Sequence, residues 1–456
     1  MTGQGAGGLP PAQSRAGFRA WLSIAILLLL TFSNNIDRNI IGLLVDLIKA
    51  DLKVTDFQFS LLHGLAFGLF YALASLPMGW AADRYSRRWI LFWGASFWSI
   101  CTAACGLAQT YIHLFVARFG VGVGEATLNP SAYSLVSDLF PRRRLTLALA
   151  CLASGAAIAA GLGSAGGGYV IRWAQDMGGF AGYAPWQVVF WIVGLPGLVI
   201  APLVFLIPRH VDHSRGRGSE DAGPKVRADQ GAGFLSWLGG HKLYFLCLSF
   251  GVGAHTSLGT TAIWIPAFLA RTQGLDIAQI GVLVGLITGL PTLIGYLGSG
   301  WLVDYLVSKG YRDVQLKYLV VNTFLLTVFG TLAYAFATSL TAIVILLSCA
   351  SLMLPCAGPA IAHLHMAAPA AIRGRSTATF MMIMHVSGTV VGPSAAAFFS
   401  DFVYGGPEHI GSGLATVYAL FGTVGVLLFA TALKPSRRAA ADAHGPALVV
   451  PAKATA

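Results

Sequence analysis

Four charged side chains stand inside two of the most apolar stretches of the chain. Asp37 and Arg38 are neighbours in the first stretch, and Arg118 and Glu125 lie seven residues apart in the second. A charge at bilayer depth is costly, so a membrane segment that keeps several usually uses them on a path for a substrate or for protons. A proton that binds to a carboxylate also releases the arginine that was paired with it. These residue types therefore indicate transport chemistry.

Helical spacing predicts how the four side chains are arranged. Arg118 and Glu125 are two turns apart, on one helix face and about 10 Å from each other along the axis, so they share a wall without touching. The direction of each span brings Asp37 to the level of Arg118 rather than of Glu125, and we expect an Asp37–Arg118 ion pair. Two interpretations stay open. The pair is a structural salt bridge, with Arg38 and Glu125 solvated in a loop or helix break, or it is a switch in which protonation frees Arg118 to hold an anionic group.

The composition is that of an integral membrane protein. Of 456 residues, 56% are hydrophobic and only 10% are charged, which is too apolar for a soluble globular chain. Runs of about 20 apolar residues, the length that crosses a bilayer core, occur twelve times. Their centres lie near residues 32, 70, 99, 126, 158, 197, 256, 290, 327, 353, 389 and 423. We predict an all-α membrane protein with twelve transmembrane helices.

The basic residues predict the orientation of the chain. The formal charge is +11, and 23 of the 29 Lys and Arg residues lie at the N-terminus, in alternate loops and at the C-terminus. The positive-inside rule then places both termini in the cytoplasm of a cell (inner) membrane. This distribution explains the charge without nucleic acid, so the expected partners of the monomer are the lipid bilayer, protons and a small amphipathic substrate. The six remaining basic residues are Lys49, Lys53, Arg172, Arg271, Arg38 and Arg118.

Several other classes of protein are disfavoured. The chain has no His-Glu-x-x-His, Gly-x-Ser-x-Gly or Walker A pattern, which predicts no enzyme, no cofactor and energy from a gradient. Its six cysteines fall inside predicted spans without a metal-ligand spacing, so we expect no metal site. Residues 161–166 (Gly-Leu-Gly-Ser-Ala-Gly) match a dinucleotide fingerprint, but no strand precedes them; small residues at helical spacing instead predict close packing of membrane helices. A channel would need a filter motif, which is not evident.

A repeated motif divides the chain into two similar halves. Residues 79–83 (Gly-Trp-Ala-Ala-Asp) end the second span, and residues 300–304 (Gly-Trp-Leu-Val-Asp) end the eighth. The matching position and topology indicate a duplication and two pseudo-symmetric six-helix bundles. The predicted organisation is a cytoplasmic N-terminus (1–20), an N-terminal bundle (21–208), a flexible cytoplasmic linker (209–240), a C-terminal bundle (241–434) and a disordered cytoplasmic tail (435–456).

The loop at residues 79–88 resembles the signature loop of the major facilitator superfamily, and the glycine-rich fifth span resembles that superfamily's helix at the interface between halves. The resemblance covers essentially the whole chain. It implies that the glycine allows close helix packing and that the acid caps a neighbouring helix across the two halves. The conformational-switch residues implied in this way are Gly79, Asp83, Arg84, Arg87, Arg88, Asp138, Arg142 and Asp304.

A narrower resemblance is carried by residues 34–38 (Asn-Asn-Ile-Asp-Arg), Arg118 with 122–126 (Gly-Val-Gly-Glu-Ala), 138–140 (Asp-Leu-Phe), and Phe190 with Gly194, Pro196 and Gly197. These look like the Spinster family, which includes exporters of sphingosine-1-phosphate and of lysosomal lysophospholipids. The resemblance implies that Asp37, Arg118 and Glu125 are proton-coupling and polar cavity residues. The organic anion to cation symporters, whose substrates are sugar acids and aromatic acids, share the Asp-Arg and Gly-Glu-Ala motifs. The chain departs from the usual Trp-Arg pair of the sixth helix, with Trp186 followed by Gln187.

Weaker candidates complete the predicted site. Proton coupling and substrate binding are assigned to Asp37, Arg38, Arg118 and Glu125, and the candidate cavity residues are Asn34, His63, Phe67, Tyr71, His255, Thr256, Trp264 and His385. A lone intramembrane histidine such as His385 is more often a packing residue than a proton carrier. The predicted function is proton-coupled secondary active transport of an amphipathic anion, such as a lysolipid or sphingolipid-like molecule, by alternating access. An organic anion to proton symporter and a multidrug-type efflux carrier are the alternatives.

Overall fold

The computed structural model describes residues 18–140, 142–208, 231–311, 313–369 and 372–444, and these are helical apart from short connections. The N-terminal half contains α1 (Phe18–Leu43), α2 (Val45–Leu52), α3 (Asp56–Leu61), a π-helical segment (Leu62–Leu69), α4 (Phe70–Arg84), α5 (Arg87–Cys105), α6 (Tyr111–Glu125), α7 (Leu128–Leu139), α8 (Arg142–Asp176), α9 (Pro185–Ile200) and a 3₁₀ segment (Ala201–Leu206).

The C-terminal half repeats this pattern of long and interrupted helices. It contains α10 (Gly231–Thr260), a 3₁₀ segment (Thr261–Trp264), α11 (Ile265–Gln273), α12 (Ile277–Ser308), α13 (Val314–Ala335), α14 (Leu340–Leu352), α15 (Ala357–Ala367), α16 (Arg373–Val386), a π-helical segment (Ser387–Val391), α17 (Gly392–Phe398), a second π-helical segment (Phe399–Val403), a 3₁₀ turn (Pro407–His409) and α18 (Ile410–His444).

Within the described residues these helices group into twelve long segments, six in each half. Eight of the segments are long and apolar enough to cross a membrane by length and composition. The others are α5, α6 with α7, α8, and α10 with α11. The predicted all-α fold of two six-helix bundles is therefore confirmed, and the long segments are called the first to twelfth spans in chain order.

Short, well-capped connections set the spans beside each other. Thr55 begins α3 with a capping box, in which its hydroxyl accepts a hydrogen bond from the Gln58 N–H at 3.1 Å. Between the seventh and eighth spans, Gly274 ends α11 in the left-handed region at φ 60°, and Asp276 caps α12. These caps satisfy free helix ends, so the turns between spans need few residues.

The fifth and eighth spans form the tightest contact between the halves. A Cβ atom on Gly168 of α8 would lie 2.7 Å from the Ile277 carbonyl oxygen, and one on Gly281 of α12 would lie 2.9 Å from Gly168 Cα. Gly161 packs in the same way against Gly285 and Gly289. Because no side chain separates the two backbones, the helices make van der Waals contact over a long strip, as their small residues predicted.

The second and eleventh spans form another contact between the halves, and both are π-helical there. A Cβ atom on Gly64 would lie 3.0 Å from the Thr389 carbonyl oxygen, and Gly68 faces the Thr389 side chain. The π-helical segments Leu62–Leu69 and Ser387–Val391 thus pack directly on each other. Such π-helical turns are rare and are frequent at functional sites.

The two ends of the molecule differ in how the halves meet. At the end away from the described chain termini, called the closed end, Phe57 packs on Phe398 and Phe402 with ring centroids 6.2 and 5.8 Å apart, and Gly42 lies against Ile263. At the opposite, open end, no atom lies within 4 Å of the Cβ position of Gly79, Gly298 or Gly300. The polar side chains of Asn129 and His385 are also exposed within the fourth and eleventh spans, and together these open positions indicate a cleft between the halves on this side.

The seventh span begins earlier than the predicted linker boundary allows. Residues 209–230 of the predicted linker lie outside the described residues, but Gly231 begins α10 and only His241, at φ −122° and ψ 24°, interrupts the helix. Phe234 and Trp237 pack on Phe245 with ring centroids 6.2 and 6.1 Å apart. These aromatic side chains give residues 231–240 an apolar face to bury, which explains why that stretch is helical.

The twelfth span likewise continues past Lys434, where the disordered tail was predicted to start. α18 runs to His444, with Ala439 fully buried and Arg437 donating to Asp313 at 2.7 Å. Alanine is the strongest helix former, and the alanine-rich sequence after Pro435 supplies both helix propensity and small packing side chains. Residues 1–17 and 445–456 lie outside the described residues.

We expect Gly168→Val to destabilise the fold by about 1–3 kcal/mol, because its branched side chain must force α8 and α12 apart. Gly166→Val is the matched control: Gly166 lies in the same helix and has no atom within 4 Å of its Cβ position. The thermal unfolding midpoint of the purified variants measures both effects. Equal midpoints for the two variants would contradict the assigned contact.

Candidate functional site

Three of the four charged side chains are buried inside the N-terminal half. The exposed fraction is 1% for Asp37, 0% for Arg118 and 1% for Glu125. Arg38 Nη2 lies 2.8 Å from Glu125 Oε2, and the Arg38 side chain keeps 30% of its surface exposed. Arg38 therefore joins the buried group to the surface of the cleft.

The predicted Asp37–Arg118 ion pair is wrong. Between these two described residues, Arg118 Nη1 donates to the backbone carbonyl of Asp37 at 3.3 Å, and no carboxylate oxygen of Asp37 is close enough for an ion pair. The Asp37 carboxylate accepts instead from Thr102 Oγ1 at 3.3 Å. Neighbouring helix residues point about 100° apart, so Arg38 faces Glu125 while Asp37 turns toward the third span.

Glu125 is the last residue of α6, and the fourth span breaks immediately after it. The chain makes a turn at residues 126–127 before α7 begins at Leu128. The break that one interpretation expected is therefore present. The solvation that it also expected is not, because Glu125 is buried and paired with Arg38.

An aromatic row on the second span covers the charged group. The rings of His63, Phe67 and Tyr71 stack in sequence, with centroids 6.2 and 5.9 Å apart. The Arg38 guanidinium lies 4.8 Å from the Phe67 centroid and 4.9 Å from that of Tyr71, and the Arg118 guanidinium lies 5.3 Å from Phe67. Each desolvated cation–π contact is worth about 2 kcal/mol, so the rings offset part of the cost of burying two arginines.

The buried group contains more polar atoms than it pairs. Among the described residues, buried atoms without a hydrogen-bond partner include Asp37 Oδ1, Glu125 Oε1, Arg118 Nε, Arg118 Nη2, Asn34 Nδ2 and His63 Nδ1. Each such atom costs roughly 1–3 kcal/mol, and native proteins keep few of them. The cluster is therefore able to bind a proton, water or a polar ligand atom without first breaking all its internal bonds.

The floor of the cleft beside Arg38 receives side chains from both halves. Tyr71 accepts a hydrogen bond from Asn129 Nδ2 at 2.9 Å, and its ring meets the edge of His385 with centroids 6.2 Å apart. His385 and Asn129 are both exposed although they lie in the fourth and eleventh spans. The sequence analysis missed Asn129, which lies in α7 just after the break that follows Glu125.

Two other C-terminal candidates, His255 and Thr256, bond to backbone groups of their own half. His255 is fully buried, with its ring nitrogens 2.8 Å from Thr323 Oγ1 and 3.1 Å from the Leu354 carbonyl oxygen. It thus satisfies a backbone group where the tenth span breaks between α14 and α15. Thr256 donates to carbonyl oxygens of Val252 and Met384, at 2.9 and 3.3 Å.

Trp264 also lies away from the predicted cavity. Its side chain is buried at the closed end, where Nε1 donates to the Pro393 carbonyl at 3.1 Å and the ring packs on Phe59 with centroids 5.8 Å apart. Phe59 belongs to the opposite half, so Trp264 is part of the contact that closes this end.

The predicted switch residues lie at the open end and connect spans of the N-terminal half. Arg87 forms an ion pair with Asp138. Arg88 donates to the carbonyl oxygens of Ile207 and Phe205 at 2.8 and 3.3 Å, and Arg84 stacks 4.5 Å from the Trp80 ring centroid. Asp304 is exposed, whereas the side chains of Asp83 and Arg142 lie outside the described part of the chain.

Gly79 does not make the close helix contact that the family resemblance implies. No atom lies within 4 Å of its Cβ position. In the described ranges, no group of three or more His, Cys, Asp or Glu side chains is placed to hold a metal ion.

Comparison with other sequences finds relatives among membrane transporters. An MFS-type efflux pump of Mycolicibacterium smegmatis is 28% identical over 424 residues, which cover 92% of this chain and 94% of that protein. The hexuronate transporter of Bacillus subtilis is 26% identical over 63% of this chain and 65% of its own length. The Drosophila melanogaster protein spinster is 27% identical over 66% of this chain, which aligns with half of the longer fly protein.

Comparison with solved structures agrees with the fold. A bacterial homologue of the human lysosomal transporter Spinster, in an inward-facing and unoccupied conformation, superposes with a TM-score of 0.71 at 23% identity, over 95% of this chain and all of the other. A D-xylose–proton symporter superposes with a TM-score of 0.68 at 14% identity, over 91% of this chain and 97% of its own. The sequence profile of the Major Facilitator Superfamily matches residues 27–393, most of both halves, and the chain belongs to this family of multi-pass membrane transporters.

Proposed function

We propose that this transporter moves an amphipathic anion together with protons by alternating access. The observation that carries the proposal is the Arg38–Glu125 pair at the floor of the cleft, 2.8 Å apart, with only the arginine reaching the surface. A charge pair in this position can exchange its internal partner for a ligand from the cleft. Both halves would then rock about the site and expose it at one end at a time.

The charges predict which species bind together. With Glu125 ionised, Arg38 is neutralised internally and an anion would have to displace the carboxylate. With Glu125 protonated, Arg38 keeps an unbalanced positive charge that an anionic group can neutralise. The neutral combinations are therefore the empty ion pair and the site that holds one proton and one anion, which is the arrangement that a proton-coupled carrier needs.

In this proposal Arg38 takes the substrate-facing place that the sequence assigned to Arg118. Arg118 has no exposed surface and lies beneath the Phe67 ring, so it would act on the site through its charge and not by contact with the substrate. Asp37 would be a second proton acceptor, because Oδ1 has no partner among the described residues. The unpartnered Arg118 nitrogens would stabilise whichever of the two acids is ionised.

The orientation that we propose follows from the basic residues. The open end carries Arg84, Arg87 and Arg88, together with both described chain termini, and the positive-inside rule places such an end in the cytoplasm. The cleft then faces inward and the closed end faces outward, in a cell membrane.

Two substrate classes compete for the site. The motifs at 34–38 and 122–126, which resemble those of Spinster proteins, favour a lysolipid or sphingolipid-like anion whose apolar tail lies between the halves. A sugar acid is the second candidate, because Asn129, Tyr71 and His385 surround Arg38 with hydrogen-bonding groups suited to hydroxyls. The hexuronate transporter is a relative of matching chemistry.

We expect purified protein in proteoliposomes to show saturable, pH-dependent flux of an anion from one of these classes. Lysophosphatidate, sphingosine-1-phosphate, glucuronate and benzoate are suitable probes, and thermal shift provides a first screen. Flux of the lipids alone supports the first class, and flux of glucuronate or benzoate supports the second. Flux that rises linearly with concentration would indicate a channel and overturn the carrier proposal.

Arg38→Gln is expected to reduce transport of the identified substrate by at least ~30-fold, since removing one partner of a buried charge pair costs about 2 kcal/mol or more. Arg438→Gln is the matched control, because Arg438 is exposed near the end of α18, away from the site. Initial uptake rates at equal protein density measure the difference. Normal uptake by the Arg38 variant would show that this arginine does not bind the substrate.

Glu125→Gln should separate binding from proton coupling. The neutral amide imitates the protonated acid and leaves Arg38 available, so exchange of labelled for unlabelled substrate should persist while accumulation driven by a pH gradient is lost. Asp37→Asn should weaken the pH dependence, and Arg118→Ala should abolish transport with normal membrane insertion.

Glu408→Gln is the control for these carboxylate substitutions, since Glu408 is exposed in a closed-end turn. Unchanged pH-driven accumulation in the variants of Glu125, Asp37 and Arg118 would leave the cluster as a structural salt-bridge network only.

A further inference from the structure

A second set of charges, separate from the transport site, joins the halves at the closed end. Arg271 of α11 donates to Asp46 Oδ1 from Nε and Nη2, at 3.1 and 2.6 Å. It also donates to Asp56 Oδ2 and Oδ1 from Nη1 and Nη2, at 2.6 and 3.0 Å. A further bond at 2.9 Å reaches the Pro407 carbonyl. One arginine of the C-terminal half thus binds two carboxylates of the N-terminal half.

The two carboxylates differ in burial, and this sets the cost of separating the halves. Asp46 is about half exposed, with 49% of its side-chain surface accessible, so water can replace Arg271 there. Asp56 is completely buried. A buried carboxylate that loses its only cation is strongly destabilised, which would hold this end closed against most driving forces.

Lys49 removes that obstacle. It belongs to the same half as Asp56 and forms an ion pair with it. When the halves move apart, Asp56 therefore keeps one cation, and only Arg271 and Asp46 have to be hydrated. The carboxylate is bound from both sides in the closed arrangement and from one side in the open arrangement.

The neighbouring contacts described at the closed end do not hold a buried carboxylate between cations of both halves. Asp401 accepts from the Phe57 N–H at 2.7 Å, and Ser60 donates to Ser394 at 3.2 Å. Arg172 pairs with Asp276 at 2.7 Å, but both side chains are well exposed. The Arg172 hydrogen bond lowers the pKa of Asp276, so this pair stays charged near neutral pH and is lost only as the pH falls through that lowered value.

We propose that Arg271 is the latch of the closed end and that Lys49 makes the latch reversible. Arg271 stabilises only the arrangement in which the halves touch. Lys49 stabilises both arrangements, but it matters more when the halves are apart because it is then the sole cation on Asp56. The inference rests on the alternating-access part of the proposed function and is independent of the substrate and of proton coupling.

The test uses the opposite effects that substitution of Arg271 and of Lys49 should have on opening of the closed end. Ser60 is 1% exposed and contacts Ser394 across the halves, so Ser60→Cys is a reporter of closed-end opening. In purified protein whose six native cysteines are replaced, maleimide labels this reporter only when the end opens. Arg271→Gln should raise the labelling rate about five-fold, the worth of roughly 1 kcal/mol, and Lys49→Gln should lower it. Arg172→Gln is the matched control and should leave the rate unchanged.

The outcomes separate the latch from the rest of the proposed function. Changes of the same sign for Arg271→Gln and Lys49→Gln would mean general loosening of this end and would overturn the proposal, as would a response to Arg172→Gln alone. Where Arg271→Gln does not fold, Asp46→Asn weakens the same latch at an exposed position and should also raise labelling. If the two variants change the labelling rate in opposite directions but flux does not depend on pH, the latch is supported and proton coupling is refuted. If flux is coupled to protons but neither variant changes the labelling rate, proton coupling is supported and the latch is refuted.

Discussion

The structure depends on one constraint, which is that a charge inside a helical membrane protein must always have a partner. Arg38 and Glu125 satisfy each other at 2.8 Å, and the rings of Phe67 and Tyr71 cover the guanidinium where no carboxylate reaches it. In the proposed mechanism the alternative partners of Arg38 are the ionised Glu125 carboxylate and an anion from the cleft, so the constraint that stabilises the fold would also define what the site can exchange. Stability and the proposed transport chemistry would then have one physical origin.

The same need for a partner applies at the closed end, but there the buried member is a carboxylate held by two cations. At the transport site the exposed member of the pair is the cation, whereas at the closed end the buried Asp56 is held between Lys49 and Arg271. Each arrangement has a spare partner, so a charge can change its neighbour without becoming isolated. Between these polar groups, the glycine-lined strip of α8 and α12 holds the halves together by close backbone packing, and the Arg172–Asp276 ion pair joins the two helices at the closed end.

The sequence predicts those features that follow from bilayer thickness and residue chemistry. Twelve apolar runs define the fold because each must span the same core, and Asp37, Arg38, Arg118 and Glu125 stand out because charges are rare at that depth. Their pairing could not be predicted, because it depends on how the first span is rotated about its own axis. Asp37 and Arg38 point about 100° apart, so a rotation of that size decides which of them faces the fourth span. His255 was misplaced for a related reason: no local pattern reveals that the tenth span breaks and leaves the Leu354 carbonyl to be satisfied.

The proposed transport site and the contact between the halves share residues, which would give a physical route from substrate binding to the proposed rocking of the halves. Phe67 lies in the π-helical segment Leu62–Leu69, which packs on the π-helical segment Ser387–Val391, and His385 lies two residues before the latter, against Tyr71. A change in the partner of Arg38 therefore alters the rings that form one side of this contact. π-helical turns are rare and occur mostly at functional sites, as expected where two halves move against each other. In the proposed mechanism, the charge exchange at Arg38 and the π-helical contact between the second and eleventh spans are therefore parts of a single element.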